Sequence, residues 1–348
     1  MELTGEQRAL AETVADLLRR HPPVLDPEPG YDQRLWRLLG DIGITGLAVP
    51  ERFGGTGAGP VEVCIAAEAL GRALAPTPLP GSAVLTAQAI PAAGDRRACE
   101  RLLPPIASGA AIAALAWTGR SGGWDPAETA CHATERSGGG WTITGAAHYV
   151  LDGDLAEVLI TAARLPDGSI GLFEVDPSQS GVVRHAAAAM DQTRRLAVAR
   201  LATSTDRLLG PGSQALARAR DLACIALAAE QAGAAARALE LTVSYTGSRI
   251  QFGRPIASFP QRTTASRAAR ASLPEPAAQV PVLAAAAKAY CSQALAQVAA
   301  EMVQLHGAIG VTWEYDAHRY FKRAHSSGQL FGSPSAHLAR IASAVIDG

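Results

Sequence analysis

Apolar residues recur at Leu10, Val14, Leu17 and Leu18 between Glu6 and Arg20, a three-to-four spacing that predicts a helix with one buried face. The same reasoning predicts helices over Gln33 to Leu39 and Val61 to Leu74, joined by Gly- and Pro-rich connections at Pro50 to Pro60 and Ala75 to Gly81. After Ile112 the texture changes. Trp141-Thr-Ile-Thr, His148-Tyr-Val-Leu, Val158-Leu-Ile-Thr and Ile170-Gly-Leu-Phe-Glu-Val are short β-prone runs separated by Gly and Asp, the pattern of a small barrel or sandwich. Beyond Gly210-Pro-Gly, Ser213 to Tyr245 contains no proline and is rich in Ala, Leu and Arg, so it reads as one long buried helix. Ala284 to Val303 and Ser335 to Ile346 are helical in the same way, whereas Pro274, Pro276 and Pro281 forbid a continuous helix over Ser266 to Pro281. The order is helix, strand, helix, with domains expected at 1–112, 113–207 and 208–348.

Composition removes several function classes. The 348 residues suffice for two or three compact units. A formal charge of -1, from 31 basic and 32 acidic residues spread along the chain, offers no field for a nucleic-acid backbone. No run of about 18 unbroken apolar residues suggests a membrane span, and Met1 to Arg20 lacks the order of a signal peptide. The five cysteines are scattered and never form C-x-x-C, so the expectation is a soluble cytoplasmic protein without disulfides or a zinc site. The eight histidines show no H-E-x-x-H spacing, and His306 and His318 read as packing or hydrogen-bonding residues. Gly54-Gly-Thr-Gly-Ala-Gly lacks the β-α-β setting of a dinucleotide fold, and no Gly-x-Ser-x-Gly elbow is present.

Two strings carry a resemblance. Ser248-Arg-Ile-Gln-Phe-Gly-Arg-Pro-Ile-Ala-Ser-Phe resembles the R-x-Q-F-G-x-P-I-x-x-F signature of the acyl-CoA dehydrogenase family. Gln304-Leu-His-Gly-Ala-Ile-Gly-Val-Thr-Trp-Glu resembles the family's Q-x-H-G-G-x-G-x-T motif, which His318, Lys322 and Arg323 continue. Leu47 to Gly57, Ile143 to Gly153 and Met190 to Ala197 echo the family elsewhere. The resemblance implies an acyl-CoA dehydrogenase-like fold: an α-helical N-terminal domain, a small β-barrel middle domain and a C-terminal helical bundle. It also implies FAD, shared between the subunits of a homo- or hetero-oligomer.

By this match Arg249, Gln251 and Phe252 contact the FAD of a neighbouring subunit, and Gln304, Gly307 and Gly310 line its adenine end. A pyrophosphate needs a fixed guanidinium, and glycine lets backbone approach a ligand closely. Read without the resemblance, Arg249 to Pro255 is a polar helix end and a turn, and Gly307 and Gly310 mark a turn between helices. Thr118 and Tyr149 match the family's hydroxyl and aromatic beside the flavin ring, with Tyr149 open also to a plain strand role. Ala308 and Leu151 depart from the family pattern.

The family's reaction is α,β-desaturation of an acyl thioester, in which a carboxylate removes the α proton while hydride leaves for the flavin. Here the two familiar positions of that glutamate fall on Gly332 and Ala223. Glu230 and Asp221 are the available substitutes: Glu230 lies seven residues beyond Ala223, on nearly the same face but about 10 Å along the axis. Glu230 also reads as an ordinary helical acid. Three readings follow: an FAD-dependent dehydrogenase of CoA or carrier-protein thioesters with electron-transferring flavoprotein as acceptor; a catalytically deficient, FAD-supporting subunit of a heteromeric acyl-CoA dehydrogenase; and a relative moved to other chemistry.

Overall fold

The computed structural model describes residues 3–28, 30–251, 254–255 and 279–346. It forms two compact units, one of residues 24–63 and 76–226 and the other of residues 1–23, 64–75 and 227–348. The three-part order along the sequence is kept: helices, then a sheet, then helices. Compactness groups the chain differently, because α1 (Gly5–Arg20) belongs to the unit of the C-terminal helices.

In that unit α1 begins at a capping box, where the Thr4 side chain accepts from Gln7 N and the Gln7 side chain returns to Thr4 N. Val14, Leu17 and Leu18 form its buried face, as the spacing predicted. The second helix of the chain, α2 (Gln33–Asp41), lies in the other unit. Next comes α3 (Pro60–Arg72), whose end beyond Val63 returns to the first unit. There a Cβ added to Gly71 would lie 2.0 Å from the Glu230 carbonyl oxygen, and one added to Gly233 would lie 2.0 Å from that of Glu68. Only glycine at both positions permits this backbone approach.

The sheet-bearing unit starts with α2, capped by Asp32, and a π-helical segment Leu79–Thr86 that is buried throughout. Helices α4 (Ala87–Ala93) and α5 (Arg96–Ala107) follow, although Pro91, Pro104 and Pro105 lie inside them. The expected connection therefore stops at Pro78: burial of an apolar face outweighs the proline and glycine signals that mark a loop.

Eight strands come next: β1 (Ala113–Ala116), β2 (Cys131–Glu135), β3 (Trp141–Leu151), β4 (Val158–Arg164), β5 (Ile170–Val175), β6 (Val182–Ala186), β7 (Leu196–Thr205) and β8 (Leu208–Pro211). The expected small barrel is one sheet in the order β6-β7-β3-β2-β4-β5-β8, with β1 branching from β4 in parallel. Ile143, Ala147, Val150, Leu159, Phe173, Val175 and Leu201 form its core. Two runs read as separate strands are one, β3, which carries a register shift between Ala147 and Val150 against β7. Such a bulge re-aims the side chains it contains.

Helix α6 (Ser213–Ser248) matches the long predicted helix and crosses from one unit to the other. By length and composition it could cross a membrane, but 67% of its most apolar window is buried inside the protein. The short strands β9 (Ile250–Gln251) and β10 (Arg254–Pro255) pair antiparallel. Phe252 and residues 266–278 of the proline-containing segment lie outside the described residues. Pro281 stands in the first turn of α7 (Val280–His306), where its missing N–H costs nothing. Helices α8 (Ala317–Gln329) and α9 (Pro334–Ile346) complete the bundle.

Candidate functional site

In the helical unit, the candidate cofactor residues gather at two helix ends. Arg249 is exposed one residue beyond α6, its N–H bonded to the Tyr245 carbonyl at 2.9 Å. Gln251 pairs with Arg254 across the β9–β10 hairpin. Gln304 is exposed in the last turn of α7, and Gly307 follows with φ +62 and no atom within 4 Å of a would-be Cβ. Gly310 is buried, where a Cβ would press on Val303 O and the His306 Cβ at 3.0 Å. One of these glycines thus leaves open space and the other permits packing.

His306 supplies a feature that the sequence reading treated as packing. Its ring stacks on Tyr245 at 4.1 Å and lies 4.5 Å from Tyr315. Nδ1 lies 2.7 Å from the Met302 carbonyl, which can only accept, so Nδ1 carries the proton and Nε2 is an acceptor. Burial holds the imidazole below its usual pKa, against the opposing hydrogen bond to Met302. Nε2 is buried and has no hydrogen-bond partner among the described residues. An accessible guanidinium, an open glycine and an unused buried acceptor fit a nucleotide cofactor such as FAD, which brings phosphates, amino groups and hydroxyls.

In the sheet-bearing unit, Thr118 and Tyr149 meet at the bulge. The Thr118 hydroxyl donates to the His148 carbonyl, and His148 N donates back to Thr118 O at 2.8 Å. That hydroxyl proton is committed within the protein, so Thr118 serves the bulge before any ligand. Tyr149 has φ +56, is 38% exposed, and bonds through Oη to the Arg120 carbonyl at 3.2 Å. A non-glycine residue held in this region is strained by about 1–3 kcal/mol, and such strain concentrates at ligand sites. Tyr149 is thus a strained, partly exposed aromatic at the bulge.

Asp152, just past the same strand, is buried with φ +53. Burial pushes its carboxyl up to about 7; Arg194 and Arg195 oppose the shift and Asp154 adds to it. A carboxyl raised in the folded state binds protons that the unfolded chain has released, so its stabilising contribution is complete below about pH 4 and is lost as pH rises through about 7. Asp152→Asn, which also tolerates the left-handed backbone, is expected to raise Tm at pH 8 and flatten the Tm profile between pH 4 and 7. Thermal melts across that range check this; an unchanged slope would assign it to other groups.

The positions expected to hold a base are closed. Gly332 has φ +117, and a Cβ there would stand 3.0 Å from His337 Nε2. Its carbonyl accepts from the buried Lys288 Nζ at 3.3 Å, an ammonium that also holds Ser292 Oγ and the Gly328 carbonyl. Ala223 is buried in α6. Of the two substitutes, Glu230 is buried against the Arg323 guanidinium, which is itself 2% exposed, and Asp221 pairs with Arg220 Nε at 3.3 Å. Both carboxylates are engaged in buried ion pairs.

Helical N-terminal segment, central sheet and C-terminal helical bundle, in this order, define the acyl-CoA dehydrogenase fold. Residues 4–110 match the family described as Acyl-CoA dehydrogenase, N-terminal domain, and residues 212–346 match Acyl-CoA dehydrogenase, C-terminal domain. The chain belongs to the acyl-CoA dehydrogenase family. It is 38% identical to Acyl-CoA dehydrogenase IpdE2 of Mycobacterium tuberculosis, over 98% of this chain and 97% of that protein. Among solved structures it is similar to the ChsE4-ChsE5 complex from Mycobacterium tuberculosis, with TM-score 0.85, 25% identity, and coverage of 100% of this chain and 99% of that one. It is also similar to a Tcur3481-Tcur3483 steroid ACAD variant, with TM-score 0.83, 29% identity, and coverage of 99% and 98%.

Proposed function

We propose that this chain is the FAD-supporting subunit of a heteromeric acyl-CoA dehydrogenase that desaturates an acyl thioester, with the proton-abstracting glutamate supplied by a partner chain. One observation carries the reading: Gly332 and Ala223 stand at both familiar base positions, and Glu230 and Asp221 are engaged in buried ion pairs. Similarity to a ChsE4-ChsE5 complex supports a two-chain assembly. The thioester is carried by CoA or by a carrier protein, and electron-transferring flavoprotein is the proposed acceptor.

When bound, FAD supplies hydride-accepting chemistry. By the resemblance Arg249 would hold the pyrophosphate of an FAD bound by a neighbouring subunit, with Gln251 and Phe252 beside it and Gln304, Gly307 and Gly310 at its adenine end. Within the sheet-bearing unit Tyr149 would stand against a flavin ring, and Thr118 would support Tyr149 through the His148 backbone. A charged hydrogen bond contributes about 1.5–3 kcal/mol, so Arg249→Ala is expected to weaken FAD retention by roughly 10- to 100-fold. Unchanged FAD affinity would remove Arg249 from the site.

The test of function is co-expression with a glutamate-bearing homologue. Removal of a general base typically costs about 10²- to 10⁴-fold in rate, so the chain alone is expected to turn over slowly and to gain that factor with the partner. Changing the partner's glutamate should abolish the gain. Brisk flavin reduction by an acyl-CoA with this chain as the only protein would overturn the proposal.

A further inference from the structure

The helical unit buries an ammonium group at the place where α8 ends. Lys288 and Ser292 lie one helical turn apart on the same face of α7, and both are buried, Lys288 completely. Lys288 Nζ donates to Ser292 Oγ at 2.8 Å, to the Gly328 carbonyl at 3.1 Å and to the Gly332 carbonyl at 3.3 Å. These acceptors use every N–H of the ammonium. Ser292 Oγ in turn donates to Gln231 Oε1 at 3.2 Å, and Gln231 Nε2 donates to Ser327 Oγ at 3.1 Å. A buried chain of hydrogen bonds thus runs from α6 through α7 to the end of α8.

The two carbonyls define what this ammonium does. Gly328 is in the last turn of α8, where carbonyls lack an N–H of their own helix and a positive charge complements the helix dipole. Gly332 lies beyond the helix, in the turn to α9, so Lys288 grips the chain on both sides of Phe331. Phe331 has φ +62 with its side chain buried, and Gly332 has φ +117. A bulky residue keeps such a backbone only where its surroundings hold it there. An apolar side chain of similar length would fill the same space without the cost of burying a charge, but it could hold neither carbonyl.

We infer that Lys288 is a conformational lock: from α7 it clasps Gly328 and Gly332 and keeps the α8–α9 turn in the left-handed form that directs position 332 at His337. The lock acts on the backbone of this chain, and it stands whether or not a partner supplies the glutamate. Closure of position 332 is then enforced from a second helix and not by the glycine alone.

The test compares Lys288→Met with the unaltered full-length chain, in the assembly as purified. Amide exchange is expected to accelerate by about tenfold or more at Leu330 and Gly332, whose N–H groups bond to Ser326 O and Gln329 O, while amides in α1 of the same unit change little. The second readout is a double-mutant cycle on Tm. Gly332→Ala is expected to lower Tm in the unaltered chain, and to lower it by less than half as much beside Lys288→Met, because a released turn can leave the left-handed region. Should Lys288→Met fail to fold, Ser292→Ala, which removes one acceptor of the ammonium and cuts the link to Gln231, goes through both measurements and is read by the same criteria. Additive Tm losses, or exchange that rises as much in α1 as in the turn, would overturn the lock and leave Lys288 a plain contributor to stability.

Discussion

Gly332→Glu is expected to give this chain no dehydrogenase activity, although it supplies the glutamate that the family resemblance would place there. The reason is local geometry. Gly332 has φ +117 and follows Phe331 at φ +62, so two successive residues hold the left-handed side of backbone space. An L side chain at the second would begin 3.0 Å from His337 Nε2 and 3.5 Å from its Cδ2. His337 is buried, and Lys288 fixes the Gly332 carbonyl, so neither wall yields cheaply. Strain and overpacking together are expected to cost about 1–3 kcal/mol, visible as a lower Tm. Gly332→Ala carries most of the same strain without a carboxylate and should melt at a similar temperature. Rapid flavin reduction by acyl-CoA in the purified glutamate variant would mean that the loop rearranges, and would remove backbone geometry as the reason for the absent base.

Arg323→Ala should be among the most damaging single changes in the helical unit, because it leaves Glu230 as a buried carboxylate stripped of its cation. Breaking one side of a buried pair typically costs about 3–5 kcal/mol, a drop of roughly four to seven degrees in Tm for a protein of this size. Glu230→Gln keeps the volume and one hydrogen-bond acceptor for Arg323, so it should cost less. In the assembly with its partner, Glu230→Gln is expected to retain FAD and turnover. Loss of flavin reduction in that variant, with Tm and FAD content intact, would instead make Glu230 the substitute base. Melting and single-turnover measurements on the same preparations separate the two roles.

Much of the fold was legible because its signals are local. The periodicity of Leu10, Val14, Leu17 and Leu18 marked α1, and the proline-free run from Ser213 marked α6 within three residues of its observed end. The strings around Arg249 and Gln304 carried the resemblance to the family, and both lie within the residues that match its C-terminal domain. Helices α4 and α5 fall in the expected helical N-terminal domain but were not singled out: Pro91, Pro104 and Pro105 lie inside them, and apolar burial at Ile90, Leu103 and Ile106 holds the helices around these prolines.

From its sequence alone this protein could be assigned its order of helices and strands, its family, and the absence of glutamate at Gly332 and Ala223. Tertiary structure decided what replaces that glutamate. It set His337 against Gly332 and joined Glu230 to an arginine 93 positions away. Periodicity and capping act over a few residues, so they can be read along the chain. Ion pairs and strand register join residues far apart in it, and their partners are chosen only when the helices and strands pack.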